Sequence, residues 1–289
     1  MDLTYFDEVA GLVGVLGVKV TQHGKLLAHK NYDTEMRRNI YSASKSFTAC
    51  AVGFAIDEGL LSLNEKLTDC FADSLPETVS ENLAAATVRD LLTMCLGQGT
   101  SELMAGQRQH YKQDDWVKLS LSFPFPYKPG THFVYSNVGP YLAGMLVQLR
   151  AGQDLVDYLL PRLFAPLGIK RPTWQTDFAG NTFGASGLML SLSELHDFGL
   201  MCLQGGKWNG RQIVNRDWLA QCTAPQDAEN YGYLFWRGEK NSFRADGMYS
   251  QLSVAFPDRD AVVTVVAECR HPAPLWRAIY GDLYEQLEK

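Results

Sequence analysis

Apolar runs with the period of a β-strand lie near both ends of the chain. Residues 12–20 are rich in valine and lead to His23-Gly24, after which residues 25–29 resume an extended pattern, so this region predicts a β-hairpin. Three further apolar, extended stretches lie near the C-terminus: residues 231–236, 251–256 and 261–267. We therefore expect one sheet that is assembled from both ends of the chain.

Between these strands the apolar positions follow a helical period. The stretch from Ser42 to Gly59 predicts a helix with Ser42 at its start, because Phe47, Ala51 and Phe54 fall on one side and Gly59 supplies a stop. Helical stretches in the middle third alternate with loops that proline and glycine mark; they include residues 88–94 and 141–149. A last helix is predicted over residues 274–287, where one apolar stripe would cover a sheet face.

The chain shows no internal repeat and no linker, which favours a single domain over residues 1–289. Its sheet lobe is predicted to comprise approximately residues 1–45 and 180–289, and its helical lobe approximately residues 46–179. A cleft between the lobes would be the natural binding site.

Composition and charge narrow the functional classes. Of 289 residues, 46% are hydrophobic and 20% are charged, which is typical of a globular protein, and the net charge is -6 without any run of basic residues, so we expect no nucleic-acid partner. No stretch resembles a signal peptide or reaches the roughly 18 apolar residues of a membrane span, so we expect no membrane partner and a cytoplasmic location, or a periplasmic or secreted one if a leader was removed.

Cysteines and histidines give no sign of a cofactor. The six cysteines are scattered without a CxxC pair and are interpreted as buried free thiols, and the six histidines form no metal-ligand motif. We expect neither a metal nor any other cofactor.

The first candidate for chemistry is an SxxK motif formed by Ser42 and Lys45. Positions three apart share one face of a helix, so the Lys45 amine can reach the Ser42 hydroxyl. A partly buried lysine binds its proton less tightly and can accept the serine proton during nucleophilic attack. The alternative is that Ser42 caps the helix and Lys45 is solvated.

Two later segments supply further candidates. Tyr135 and Asn137 form a YxN tripeptide, in which the phenol can exchange protons with a leaving group and the amide can hold a substrate carbonyl. Gly247 precedes a predicted strand, and the N–H of Met248 can serve as an oxyanion donor opposite the N–H of Ser42. Taken singly, each of these two segments is better explained as an ordinary turn.

In this order, the three segments resemble the serine β-lactamase and penicillin-binding-protein superfamily, and most closely its class C β-lactamase and esterase branch. Other segments match the family as well: Thr87–Thr93, Pro129-Gly-Thr, Gly184–Leu195 and Gly205–Gly210. The resemblance implies an α/β (α+β) fold with a mainly antiparallel five-stranded sheet flanked by helices, plus an all-helical lobe. It also implies an acyl-enzyme on Ser42, assisted by Lys45 and Tyr135. Asn137 would then contact substrate, and the backbone at Gly247 and Met248 would complete the oxyanion site.

One position departs from the family pattern. β-Lactamases and peptidases of this superfamily carry Lys or His two residues before the motif glycine, where this chain has Ala245. Because an alanine cannot attract a substrate carboxylate, we expect hydrolysis of a small-molecule ester or amide, with β-lactam hydrolysis weak and a D-amino-acid peptidase as a further possibility. A non-catalytic ligand-binding or penicillin-sensing protein of the same fold is the alternative.

Other polar residues are given no role at this stage. Ser186 lies in Gly-Ala-Ser-Gly, which does not satisfy GxSxG, and Glu102 is expected to be solvated. His110 and His132 flank the expected cleft and are interpreted as surface or packing residues.

Overall fold

The computed structural model describes residues 1–228 and 230–288. The ten strands within these ranges are β1 (Val15–Gln22), β2 (Lys25–Asn31), β3 (Arg38–Asn39), β4 (Met189–Leu190), β5 (Lys207–Trp208), β6 (Arg211–Gln212), β7 (Trp236–Arg237), β8 (Phe243–Gly247), β9 (Gln251–Phe256) and β10 (Ala261–Ala267). The α-helices in the same ranges are α1 (Thr4–Val13), α2 (Ser44–Asp57), α3 (Leu67–Cys70), α4 (Glu81–Ala85), α5 (Val88–Leu92), α6 (Ala105–Arg108), α7 (Trp116–Ser122), α8 (Val138–Ala151), α9 (Leu155–Leu159), α10 (Leu192–Leu203), α11 (Arg216–Thr223) and α12 (Ala273–Arg277).

The main sheet joins the two ends of the chain, as the sequence predicts. Its strands follow the order β2-β1-β10-β9-β8-β7, and every neighbouring pair is antiparallel. The apolar runs of β1 and β10 pair in register, with Val18 opposite Val265 and Val20 opposite Val263. The mixed α/β fold with an antiparallel sheet flanked by helices is confirmed. The described residues form six strands in this sheet instead of five, because the two-residue β7 is added at one edge.

Several predicted elements are confirmed. His23 and Gly24 form the turn of the hairpin between β1 and β2. Both take positive φ values (50° and 70°), which a two-residue turn needs if it is to match the twist of the two strands. Strands β9 and β10 have the predicted bounds. The last helix is α12 and its π-helical continuation over Ala278–Leu283.

Other boundaries are corrected. The predicted strand over 231–236 is mostly irregular, because Leu234 takes a left-handed φ of 59° and Tyr231 forms a bridge with Trp236, so this segment folds back on itself. Gly247 ends β8 instead of preceding a strand, and the turn after it leads into β9. At the N-terminus, α1 extends to Val13, two residues before β1, which shortens the predicted first strand.

Two hydrophobic cores flank the sheet. The smaller core joins α1 and the C-terminal helix to one face, through residues such as Phe6, Val254 and Ile279. The larger core lies on the other face and includes α2, α8 and α10. Phe47 of α2 stacks on Phe198 of α10 with ring centroids 3.8 Å apart. Helix α2 is therefore buried along most of its length, and the segment immediately before α2 carries Ser42.

The cysteines, the possible metal ligands and the apolar helices can each be compared with the expectations from the sequence. All six cysteines are free and five are buried, in agreement with the prediction of buried thiols. Within residues 1–228 and 230–288, no three His, Cys, Asp or Glu side chains form a group that could hold a metal ion. No helix in these ranges is both long enough and apolar enough to cross a membrane.

Candidate active site

Ser42 lies in a tight turn immediately before α2. Residues Tyr41–Ala43 form a 3-10 turn that continues into the helix at Ser44. Tyr41 takes a left-handed φ of 47°, an unusual value for a bulky residue, and its N–H donates to Asn39 Oδ1 at 2.7 Å. This turn presents Ser42 in the first turn of the helical segment, where a backbone N–H has no acceptor one turn earlier.

Lys45 lies beneath Ser42 and is almost completely buried, with 1% of its surface exposed. Its Nζ atom donates to Ser42 Oγ at 3.0 Å, to Asn137 Oδ1 at 2.6 Å and to the Ala185 carbonyl at 2.8 Å. No carboxylate lies within 4.0 Å of this amine among the residues that the structure describes. Burial, and secondarily the positive charge of Arg108, lower the pKa of Lys45 from 10.5 to about 7. The prediction that Lys45 reaches Ser42 is fulfilled, and the solvated alternative does not describe this lysine.

Tyr135 faces the same pair from the helical side. The Lys45 Nζ atom lies 5.1 Å from the centre of the Tyr135 ring, and the Trp236 ring stacks on Tyr135 with 5.3 Å between centroids. Burial raises the pKa of Tyr135 to about 12, while its proximity to the Ser42 hydroxyl acts in the opposite direction. Tyr135 is therefore a neutral phenol at physiological pH.

Asn137 connects Lys45 to the loop before α6. Its Oδ1 atom accepts from Lys45, and its Nδ2 atom donates to the Leu103 carbonyl at 2.9 Å. An amide nitrogen carries two N–H bonds, so one of them remains available to a ligand. Asn137 fixes the Lys45 amine directly, a contact that sequence spacing does not reveal.

Glu102 belongs to the same loop and is not simply solvated. Its carboxylate accepts from Thr100 at 2.8 Å and from the Tyr111 hydroxyl at 2.8 Å. Its backbone carbonyl accepts from the N–H of Asn137 at 3.1 Å. The expectation of a solvated carboxylate is wrong in this respect, and Glu102 stabilises the loop that holds Asn137.

Gly247 brings the end of β8 against the turn that contains Ser42. A Cβ atom at Gly247 would lie 2.1 Å from the Ile40 carbonyl oxygen and 3.2 Å from the Ala43 nitrogen, so only glycine allows this approach. The backbone of Gly247 and Met248 is thereby held beside the turn of Ser42, although the Met248 side chain is 49% exposed. A shared oxyanion site would require this proximity of the two backbone segments.

The residues before Gly247 contribute no cation to the site. Ala245 is buried, whereas Arg244 and Asp246 share the other face of β8 and form an ion pair at 2.8 Å. Burial raises the pKa of Asp246, and Arg244 acts against that effect. The charge of Arg244 is thus neutralised by its neighbour on the same strand.

Three groups that act on Lys45 or Tyr135 are not evident from the sequence. The Ala185 carbonyl holds Lys45, Trp236 orients Tyr135, and Arg108 influences the pKa of Lys45. Ala185 falls in a segment that matches the family pattern, but a backbone contact leaves no signature in residue type. Arg108 and Trp236 lie far from Ser42 in sequence and follow no motif.

Ser186, His132 and His110, for which the sequence predicts no catalytic role, make contacts of their own or lie at the surface. Ser186 is buried, and its carbonyl accepts from the Trp174 indole at 3.0 Å. His132 stacks on Tyr127 with centroids 4.0 Å apart, and His110 is exposed. None of these contacts assembles a second serine with a base.

Comparison with known proteins identifies the family. The family model for Beta-lactamase matches residues 6–283, which is nearly the whole chain. The chain belongs to the beta-lactamase family. Among curated relatives of this beta-lactamase-family chain, the D-aminopeptidase of Brucella anthropi is 29% identical over 180 residues, which are 58% of this chain and 33% of that protein. The chain spans only 33% to 37% of the length of the curated relatives it matches.

Solved structures agree with this family at the level of the fold. The octameric penicillin-binding protein homologue from Pyrococcus abyssi superposes with a TM-score of 0.76 at 18% identity, over 99% of this chain and 77% of that one. EstCE1, a hydrolase with promiscuous acyltransferase activity, superposes with a TM-score of 0.76 at 15% identity, over 95% of this chain and 96% of that one. At these identities the likeness establishes the beta-lactamase-type fold.

Proposed function

We propose that the protein is a serine hydrolase that cleaves small carboxylic esters or amides through an acyl-enzyme on Ser42. The observation that carries the proposal is the 3.0 Å contact between Ser42 Oγ and the amine of a buried lysine whose pKa is lowered to about 7. A lysine in this state is substantially neutral near pH 7 and can act as a general base.

The hydrogen bonds of Lys45 suit the neutral amine. In the neutral amine, the carbonyl oxygens of Asn137 and Ala185 each accept one N–H, and the contact with Ser42 reverses, so that the Ser42 hydroxyl donates to the nitrogen lone pair. In acylation, the Ser42 proton passes to Lys45 as Oγ bonds to the substrate carbonyl carbon. The oxyanion that forms would be held by the N–H groups of Ser42 and Met248.

Tyr135 would supply the proton to the leaving group. Since its pKa is about 12, it enters the reaction as a phenol, and the proton that it gives up is replaced from Lys45. The ester or amide bond then breaks and the acyl group stays on Ser42. Water gives a proton to the same pair as it attacks the acyl carbon, and the pair returns that proton to Ser42 Oγ as the bond between Oγ and the acyl carbon breaks and the acid leaves.

Two observations guide the choice of substrate. The buried Ala245 replaces the cation that would attract an anionic β-lactam, which favours esters and amides and leaves β-lactam turnover weak. The D-aminopeptidase relative supports including amides among the substrates, because a peptidase cleaves an amide bond.

Intact-protein mass spectrometry tests the proposal. The protein is incubated with a fluorophosphonate, a penicillin and a short-chain nitrophenyl ester, and Ser42→Ala is compared with Ser186→Ala, a matched control at a buried serine that has no role in the proposed reaction. We expect a fluorophosphonate adduct and ester turnover that vanish in Ser42→Ala and persist in Ser186→Ala. Absence of both adduct and turnover in the unsubstituted protein would refute the hydrolase proposal and favour a non-catalytic binding protein.

A further inference from the structure

Arg108 is a half-buried cation without an acidic partner. Its Nη1 atom donates to Gln175 Oε1 at 3.1 Å, and its guanidinium carbon lies 4.5 Å from the centre of the Phe183 ring. No Asp or Glu within residues 1–228 and 230–288 lies within 4.0 Å of it, whereas Arg37 and Arg89 each pair with a carboxylate. Withdrawing a cation from water without a counter-ion is costly, so the free N–H groups of Arg108 are suited to an anion from outside the chain.

The contacts of Arg108 place it next to the groups around Ser42. Gln175, which holds Arg108, exchanges backbone hydrogen bonds with Phe183 at 2.8 Å and with Gly187 at 3.2 Å. Ala185, between these two residues, accepts from Lys45. Arg108 is therefore separated from Lys45 by one short segment, and its charge is felt at Lys45.

A second connection runs through the loop before α6. Arg108 ends this helix, and Leu103, which precedes the helix, accepts from Asn137. Two different connections thus link Arg108 to the residues that position Lys45.

Arg108 also faces open space. It lines a cavity of about 280 Å³, whose walls include Ala105, Gln109, Trp116, Gln175, Thr176 and Phe178. Asp177 lies in the same wall, but its carboxylate already accepts from Tyr141, from the side chain of Asn181 and from two backbone N–H groups. The space is large enough for a small carboxylate to meet the guanidinium, and Trp116 and Phe178 add apolar surface to its walls.

We propose that Arg108 determines specificity by binding a carboxylate carried by the substrate, so that the preferred substrates are esters or amides with a free acid. This inference rests on the proposed function and names its substrate class. Arginine binds a carboxylate through paired N–H donors, which suits it to this role.

Substrate selectivity tests the inference. Nitrophenyl monoesters of succinic, glutaric and adipic acid are compared with the same esters capped by a methyl group at the other end, which removes the charge. We expect Arg108→Gln to lower the ratio of kcat/KM for the acid to kcat/KM for the capped ester by about tenfold or more, mainly through KM. If Arg108→Gln acts by changing the pKa of Lys45, kcat/KM changes by the same factor for both substrates and the ratio is unaltered.

Lys112→Gln is the matched control, because it removes the same charge from an exposed position in the same segment. The ratio should change less than about twofold there, since an exposed charge acts through high dielectric. An unchanged ratio in Arg108→Gln, or an equal fall in Lys112→Gln, would overturn the inference.

Binding separates this inference from the hydrolase proposal. Calorimetric titration of adipate into Ser42→Ala protein, with and without Arg108→Gln, requires no turnover. If no ester is cleaved but adipate binds and the binding weakens about tenfold without Arg108, the carboxylate site stands and the hydrolase proposal fails. Equal binding by both proteins, or binding by neither, would reject the carboxylate site.

Discussion

At the scale of single residues, the buried amine of Lys45 determines how the proposed reaction depends on pH. Protonated Lys45 cannot accept the Ser42 proton, so kcat/KM for a neutral ester should rise as the pH increases through about 7 and then level. Tyr135 should impose no basic limb until about pH 12. Because the charge of Arg108 lowers the pKa of Lys45, Arg108→Gln should shift the limb to higher pH. A profile that stays flat across neutral pH would contradict the assignment of Lys45 as the base.

The same pKa shift predicts a pH-dependent stability. The folded protein holds Lys45 at a pKa of about 7, below the unfolded value of 10.5, so protons bind more strongly to the unfolded state between these values. The contribution of Lys45 to stability therefore rises from about pH 7 toward pH 10.5, by roughly 5 kcal/mol at most. Urea unfolding of the unsubstituted protein and of Lys45→Met at several pH values measures this. The difference in free energy of unfolding should move in favour of the lysine as pH rises, and a constant difference would contradict the prediction.

Residue spacing by itself predicts only the short-range contacts of the site, and the expectation that Tyr135, Asn137 and Gly247 join Ser42 depends on the family resemblance. The contact between Ser42 and Lys45 was predictable, because a spacing of three residues brings side chains together on any helix. The contacts of Arg108 with Gln175 and Phe183 were not predictable, because these residues are far from Arg108 in sequence and only the fold brings them together. Its lack of a carboxylate partner, like the burial of Lys45, is a property of packing, which residue type alone does not encode.

At the scale of elements, α8 carries Asn137 at its N-terminal end and depends on a close approach to α5. A Cβ atom at Gly139 would lie 2.3 Å from the Leu91 carbonyl oxygen, whereas at Gly144, in the same helix, the nearest atom would be 3.5 Å away. Gly139→Ala should therefore cost about 1–3 kcal/mol of stability and reduce kcat by displacing Asn137. Gly144→Ala, the matched control, should be neutral or up to about 1 kcal/mol stabilising. Chemical unfolding and ester turnover measure both; equal tolerance at the two positions would argue against the close approach.

The elements predicted best are those with a dense apolar pattern. Strands β9 and β10 are buried along their entire length, and their sequences are correspondingly apolar. The apolar pattern does not reveal β8, because Arg244 and Asp246 make its sequence polar, although in the structure they neutralise each other. Residues 231–236 show the opposite error, because their aromatic side chains pack in the core from an irregular backbone.

At the scale of the whole molecule, the two predicted lobes share one core. Phe47 of the helical lobe stacks on Phe198 of the sheet lobe, and the Trp218 ring packs over Gly53, where a Cβ atom would lie 2.2 Å from it. The Trp218 indole also donates to the Ala49 carbonyl at 2.9 Å. Separating the lobes would expose these surfaces, so we expect the chain to unfold as one cooperative unit.

A substitution far from the helical lobe tests this cooperativity. Ile279 is fully buried in the core on the opposite face of the sheet, so Ile279→Ala should cost about 2–5 kcal/mol, whereas Leu26→Ala, at a position 58% exposed, should cost less than about 0.5 kcal/mol. Hydrogen exchange under mildly denaturing conditions would follow peptides from β10 and from α8. In a single cooperative unit, Ile279→Ala lowers protection equally in both, because the slowest amides of α8 exchange only when the whole chain opens. Loss of protection in β10 alone would show that the helical lobe is stable by itself, and that the shared contacts of Phe47 and Trp218 contribute little to holding the cleft together.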